Sequence, residues 1–111
     1  MENRQLKEDF LDKNIFIGLK NMNDGFDVEC IKYFSASDFQ IVLERVEKFK
    51  LGVYGVEPWE NGNMFDVYDD YSKKPTDPDW YNSALSDFIA TGKELLYAAT
   101  YYVPSIDEYL E

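Results

Sequence analysis

The chain has 111 residues, 22 of them acidic and 11 basic, for a formal net charge of −11. That length suits one domain, and 45% apolar with 17% aromatic residues supplies a core that a disordered acidic tail would lack. There is no histidine, which excludes Ser-His-Asp and Cys-His catalysis and the usual His-bearing zinc sites.

The first segment predicts a short helix, roughly Asn3 to Leu11, with Leu6, Phe10 and Leu11 on one face. In Asn14 to Lys20, Ile15, Ile17 and Leu19 recur at period two, the pattern of a strand. Asn23-Asp24-Gly25 is a turn signal, and Phe26 to Phe34 returns as a second strand, giving an antiparallel hairpin. A helix follows, capped by Ser37 with Gln40 reaching back as in a capping box. Phe39, Val42, Leu43, Val46 and Phe49 form its apolar stripe, with Glu44, Arg45, Glu47 and Lys48 turned to solvent.

Leu51 to Glu57 reads as a third strand ended by Pro58, and Asn61-Gly62 is a second hairpin turn signal leading to a fourth strand, Met64 to Tyr68. A polar loop, Asp69 to Pro75, precedes Thr76-Asp77-Pro78, where Asp77 caps a helix and Pro78 takes its first position. Trp80, Ala84, Leu85, Phe88 and Ile89 supply the apolar face of that helix. Thr91-Gly92-Lys93-Glu94 offers a break and another capping box, so Lys93 to about Tyr102 is expected to be a separate helix bounded by Pro104. Nothing places Ser105 to Glu111. The sum is an α+β fold in one domain, 1–111, with an antiparallel sheet of about four strands and three to four helices. A mixed sheet is the alternative, if the helix at 37–49 crosses over between parallel strands.

A single cysteine, Cys30, rules out an internal disulfide and an all-thiolate zinc site. It alternates with Phe26 and Val28, as a buried inert thiol would. No stretch approaches the roughly 18 consecutive apolar residues that span a bilayer, and Met1 to Lys13 lacks the features of a signal peptide. Cytoplasmic residence is therefore the expectation, with no membrane partner.

Charge is unevenly spread. Residues 1–50 carry 10 acids and 8 bases, a net of −2, whereas residues 51–111 carry 12 acids and only Lys73, Lys74 and Lys93, a net of −9. Both tryptophans and eight of the nine tyrosines also fall in the second part. A surface this negative repels nucleic acid and attracts cationic partners. Within Glu57 to Asp87, carboxylates alternate with aromatics, and Glu57, Trp59, Glu60, Asp66, Tyr68, Asp69, Asp70, Tyr71, Asp77 and Asp79 are the candidate partner-binding residues. Carboxylates steer and pair with arginine and lysine, while tyrosine and tryptophan offer rigid contact area. Trp80 belongs on the core face of its helix, and Trp59, beside Pro58, should be exposed.

Other chemistry finds little footing. Asp66-Val67-Tyr68-Asp69-Asp70 departs from the EF-hand pattern, with Tyr71 in place of the glycine and Asp77 in place of the glutamate, so no metal site is expected. Paired carboxylates of a glycosidase cannot be singled out among 22 acids. Gly52 and Gly55 lie inside a strand and belong to no phosphate-binding loop. The residues indicate no catalytic site and no cofactor.

Asp38-Phe39-Gln40-Ile41-Val42-Leu43-Glu44-Arg45-Val46, running into Leu51-Gly52-Val53-Tyr54-Gly55-Val56-Glu57-Pro58-Trp59, resembles small bacterial immunity proteins of polymorphic toxin systems, including contact-dependent growth inhibition. The resemblance lies in size, charge and helix-to-strand layout over about a fifth of the chain, and it carries over no functional residue. It implies a non-catalytic cytoplasmic protein that blocks a cognate basic toxin, often a nuclease. The other readings open to such a sequence are an acidic DNA mimic that inhibits a DNA-binding protein and a non-catalytic adaptor subunit.

Overall fold

A computed structural model of the chain describes residues 3–28, 31–61, 63–66 and 73–107. The expected α+β architecture is present: among the described residues there are four helices and one antiparallel sheet of three strands rather than four.

The first helix, α1, runs over Asn3–Asn14, one turn beyond the expected end. The hairpin expected from Asn14 to Phe34 is absent from the described residues. Ile15 and Phe16 both donate their amides to the Leu11 carbonyl, so the chain leaves α1 in a tight turn. Gly18 then takes φ +79°, a conformation that glycine adopts without penalty. Arg45, expected to face solvent, instead reaches back from the next helix and donates Nη1 to the carbonyls of Ile15 (2.9 Å) and Ile17 (2.7 Å). Local alternation loses to these bonds: Ile15 is buried, whereas Ile17 is exposed. Among the described residues of the expected second strand, only Phe34 forms a bridge, pairing antiparallel with Tyr97.

Helix α2 spans Ala36–Lys48 and is capped by Ser35 rather than Ser37; its hydroxyl accepts the amide of Asp38. Phe39, Val42, Leu43 and Val46 are fully buried as the stripe predicts, but Phe49, the fifth member, stands at the C-cap and is exposed, with Phe10 edge-on to it. Its C-terminus closes in a Schellman arrangement. The Lys50 amide donates to Glu47 and the Leu51 amide to Val46, with Lys50 at φ +58° and Leu51 buried.

Strand β1, Gly52–Glu60, passes through Pro58 instead of stopping there. Pro58 lies opposite Tyr97, whose amide and carbonyl turn away to bond Phe34, so this position on β3 asks no hydrogen bond of the proline. The Pro58 carbonyl accepts the Phe65 amide on the other side. Asn61, at φ +51°, begins the expected turn into β2, which is short (Asn63–Met64); Phe65 and Asp66 of the expected fourth strand fall beyond it, their amides both turned to the Pro58 carbonyl, and the rest lies outside the described residues.

Helix α3, Pro78–Ala90, starts as the sequence predicts, with Asp77 accepting the Asp79 amide and Pro78 in the first turn. The helix expected over 93–102 is instead strand β3, Leu96–Tyr102. Thr91 and Gly92 end α3 rather than start a new helix: the Thr91 hydroxyl donates to the Phe88 carbonyl, and Gly92 sits at φ +75°. β3 pairs antiparallel with β1, giving the order β2-β1-β3 with no parallel pair among the described residues. A register shift between Val53 and Gly55 leaves Tyr54 as a bulge. The short helix α4, Pro104–Asp107, returns to α1 through an ion pair between Lys7 and Asp107 at 3.0 Å.

The helices cover one face of the sheet. Val56, Pro58 and Tyr97 point into that layer, where Tyr97 stacks on Phe39 with centroids 5.4 Å apart and meets Phe88 at 6.5 Å. Each large side chain buried there contributes about 1.5–3 kcal/mol. Trp80 belongs to this core, as expected, and its indole donates to the Lys74 carbonyl.

Candidate functional site

Alternation along β1 puts Glu57 and Trp59 on the sheet face opposite the helices. Residues 21–28 and 31–33 lie over that face. Asn side chains shape it: Asn23 Nδ2 donates to the carbonyls of Val28 (3.0 Å) and Ile31 (2.9 Å), and its Oδ1 accepts the Gly25 amide. Asn21 Oδ1 accepts the Tyr33 amide, and the Met22 amide donates to the Tyr33 carbonyl. The loop thus closes on itself and lays two rings on Trp59. Phe26 and Tyr33 stand 5.6 and 5.3 Å from the indole and 4.8 Å from each other.

A small polar group lies beside these rings. The Tyr33 hydroxyl, on a fully buried ring, donates to Asp27. Burial, with the Asp27 bond and charge added, pushes the Tyr33 phenol well above its ordinary value. Burial first, and the Asp27 carboxylate second, raises the Glu57 pKa as well. Trp59 is partly buried rather than exposed, because Phe26 and Tyr33 flank it; its indole nitrogen has no hydrogen-bond partner among the described residues.

In front of the indole is a cleft of about 510 Å³. Phe26, Trp59 and Leu96 form apolar wall, and Asp24, Asn61 and Glu94 supply polar edges. Two aromatic faces with two carboxylates make a setting in which a guanidinium or ammonium group is attracted by ring quadrupoles and by charge together. Among the described residues no group of three or more acids or cysteines is placed to hold a metal. Compared with protein-family models, with curated proteins and with solved structures, the chain matches none.

The candidate residues from the sequence divide into three groups. Glu57 and Trp59 share the open face at one end of β1, and Glu60 lies next to them, paired with Lys93 at 3.4 Å. Lys93 also sits over the Phe65 ring at 5.5 Å, which draws the base of the β2 hairpin to the same end; Asp66 follows, its amide donating to Pro58. Asp77 and Asp79 belong elsewhere. Their segment packs on Gly52 through Pro75, at the opposite end of β1, about 20 Å of strand from Trp59. Asp77 is engaged there as a helix cap. Tyr68, Asp69, Asp70 and Tyr71 lie outside the described residues, as does Cys30.

Sequence reasoning missed Asp24, Phe26, Asp27, Tyr33 and Glu94. The turn signal at Asn23-Asp24-Gly25 marked the place where the loop bends, but no local pattern links it to Trp59. No helix among the described residues is long and apolar enough to cross a membrane.

Proposed function

We propose that this domain is a non-catalytic binding module that receives a basic protein at the cleft lined by Phe26, Trp59 and Leu96. We read its role as that of an immunity protein blocking a cationic toxin, with a nuclease as the favoured target. The observation that carries the reading is the cleft itself: aromatic walls edged by Asp24 and Glu94 in a chain of net charge −11. A nuclease holds phosphate with arginine and lysine, and those side chains suit such a cleft. Glu57, whose raised pKa is the feature an enzyme would use, is not among the residues lining the cleft, which favours binding over catalysis.

The test begins with capture of partners on the immobilised protein from its source lysate at low salt. A single basic protein whose toxicity is suppressed by co-expression with this chain supports immunity. Its affinity should fall as salt rises, chiefly through slower association. Trp59→Ala should weaken it about thirtyfold, the roughly 2 kcal/mol of a hot-spot aromatic. Binding that is indifferent to both salt and Trp59 rejects the proposed cleft, and capture of several unrelated DNA-binding proteins points to a DNA mimic.

A further inference from the structure

A second cavity, of about 230 Å³, opens between α1 and β3. Leu11 and Phe16 at the end of α1, with Ala99 of β3, give it apolar walls, and Glu8, Asp12 and Lys32 carry charge around it. Glu8 and Asp12, four residues apart, lie on one face of α1. Tyr101 also lines the cavity. This ring is 7% exposed, it packs against Phe16 at 5.4 Å, and its hydroxyl has no hydrogen-bond partner among the described residues. A buried phenol left unsatisfied costs about 1–3 kcal/mol, a cost that an incoming donor or acceptor removes.

The dimensions and chemistry narrow the occupant. The volume is below the roughly 300–1,000 Å³ of small-molecule sites and suits one side chain. Apolar walls fit an alkyl stem, and two carboxylates against one ammonium leave the charged residues around the cavity negative. We infer that this cavity is a socket for an arginine side chain of a basic protein partner. The stem lies along Leu11, Phe16 and Ala99, and the guanidinium donates to Glu8, Asp12 and the Tyr101 oxygen. The inference rests on the basic-partner reading for the source of that arginine, but it uses a different surface from the Trp59 cleft.

The probe is capped arginine (N-acetyl-arginine methylamide), titrated into the whole protein and followed by amide and methyl NMR shifts. Saturable shifts at Leu11, Ala99 and Tyr101 are expected, with a midpoint on the order of 1–10 mM for a few kcal/mol of single-side-chain contact. Glu8→Gln with Asp12→Asn should weaken binding about two- to fivefold, and Lys32→Ala should strengthen it by a similar factor. Tyr101→Phe, which removes no hydrogen bond from the fold, should weaken the probe without lowering thermal stability. Capped norleucine binding equally well, or tighter binding of capped glutamate that Lys32→Ala abolishes, overturns the assignment, as does the absence of saturable shifts. Arginine binding here with no basic protein captured would leave the socket standing and remove the partner reading. A captured partner indifferent to the Glu8/Asp12 and Tyr101 variants would do the reverse.

Discussion

Lys7 and Asp107, one hundred residues apart in sequence, meet with ammonium nitrogen 3.0 Å from carboxylate oxygen. Asp107 does more than pair, because its other contact is the Val103 amide at 2.6 Å. Removing each partner should therefore have unequal effects. Asp107→Ala leaves the Val103 amide without that acceptor and should cost about 1–3 kcal/mol. Lys7→Met keeps the stem and loses only a partly exposed ion pair, at about 0.5 kcal/mol. Urea unfolding of the two variants measures the difference, and equal losses would contradict the Val103 role.

The turn between α2 and β1 holds two positions that should respond in opposite directions. Lys50 takes φ +58°, where a side chain costs about 1 kcal/mol and glycine does not. Lys50→Gly should therefore stabilise, by about 0.5–1 kcal/mol. Two residues on, a Cβ at Gly52 would lie 2.6 Å from the Pro75 backbone. Gly52→Ala must push the 73–76 segment away and break the bond from the Val53 amide to the Pro75 carbonyl, at about 1–3 kcal/mol. Thermal midpoints of the two variants should move apart, the first upward and the second downward.

Glu57 makes stability depend on pH in an unusual sense. Its carboxyl is raised above the ordinary 4.5, so the folded chain holds this proton more tightly than the unfolded one does. The stabilisation is complete below the ordinary value and is lost as pH rises through the raised one. Once ionised, Glu57 carries a standing cost, from its burial first and from the Asp27 charge second. Glu57→Gln should raise stability at pH 7 and remove this component of the slope above pH 4.5. A variant that leaves the slope unchanged would show that Glu57 titrates alike in both states.

Tyr81 is fully buried, and its hydroxyl has no hydrogen-bond partner among the described residues. Burial, then the charges of Glu47 and Asp77, push its phenol up to about 12. Tyr81→Phe keeps the ring and removes the unsatisfied oxygen, so it should stabilise by about 1 kcal/mol. Because this phenol must stay protonated in the fold, the wild type should also lose stability as pH rises above the ordinary 10.0. The variant should lose less over the same range, as chemical denaturation at pH 9 and pH 11 would read.

Where local chemistry and tertiary packing agree, the sequence was a sufficient guide. The stripe of α2 and the Asp77-Pro78 start of α3 are strong local signals, and both elements form where expected. The region 93–102 shows the opposite. Leu95, Leu96, Ala98 and Ala99 are good helix formers, yet pairing with β1 from Gly52 to Trp59 takes that segment into the sheet. Period two at Ile15, Ile17 and Leu19 is equally misleading, since Arg45, thirty residues from Ile15, holds the turn there. The candidate site divides in the same way. Trp59 and Glu57 were legible as an aromatic among acids, but Phe26 and Tyr33 reach Trp59 only through a loop folded by Asn21 and Asn23.

The central strand pair joins residues 52–59 to residues 96–102, and among the described residues Phe34 pairs only with β3. During synthesis, then, β1 emerges before β3 and waits with one edge unpaired until β3 has been made. Helix α2 can form meanwhile from its own cap and stripe, but Phe39 lacks Tyr97, on which it stacks, until then. The nascent chain is thus expected to remain open until β3 has been made and to close as β3 enters between β1 and Phe34.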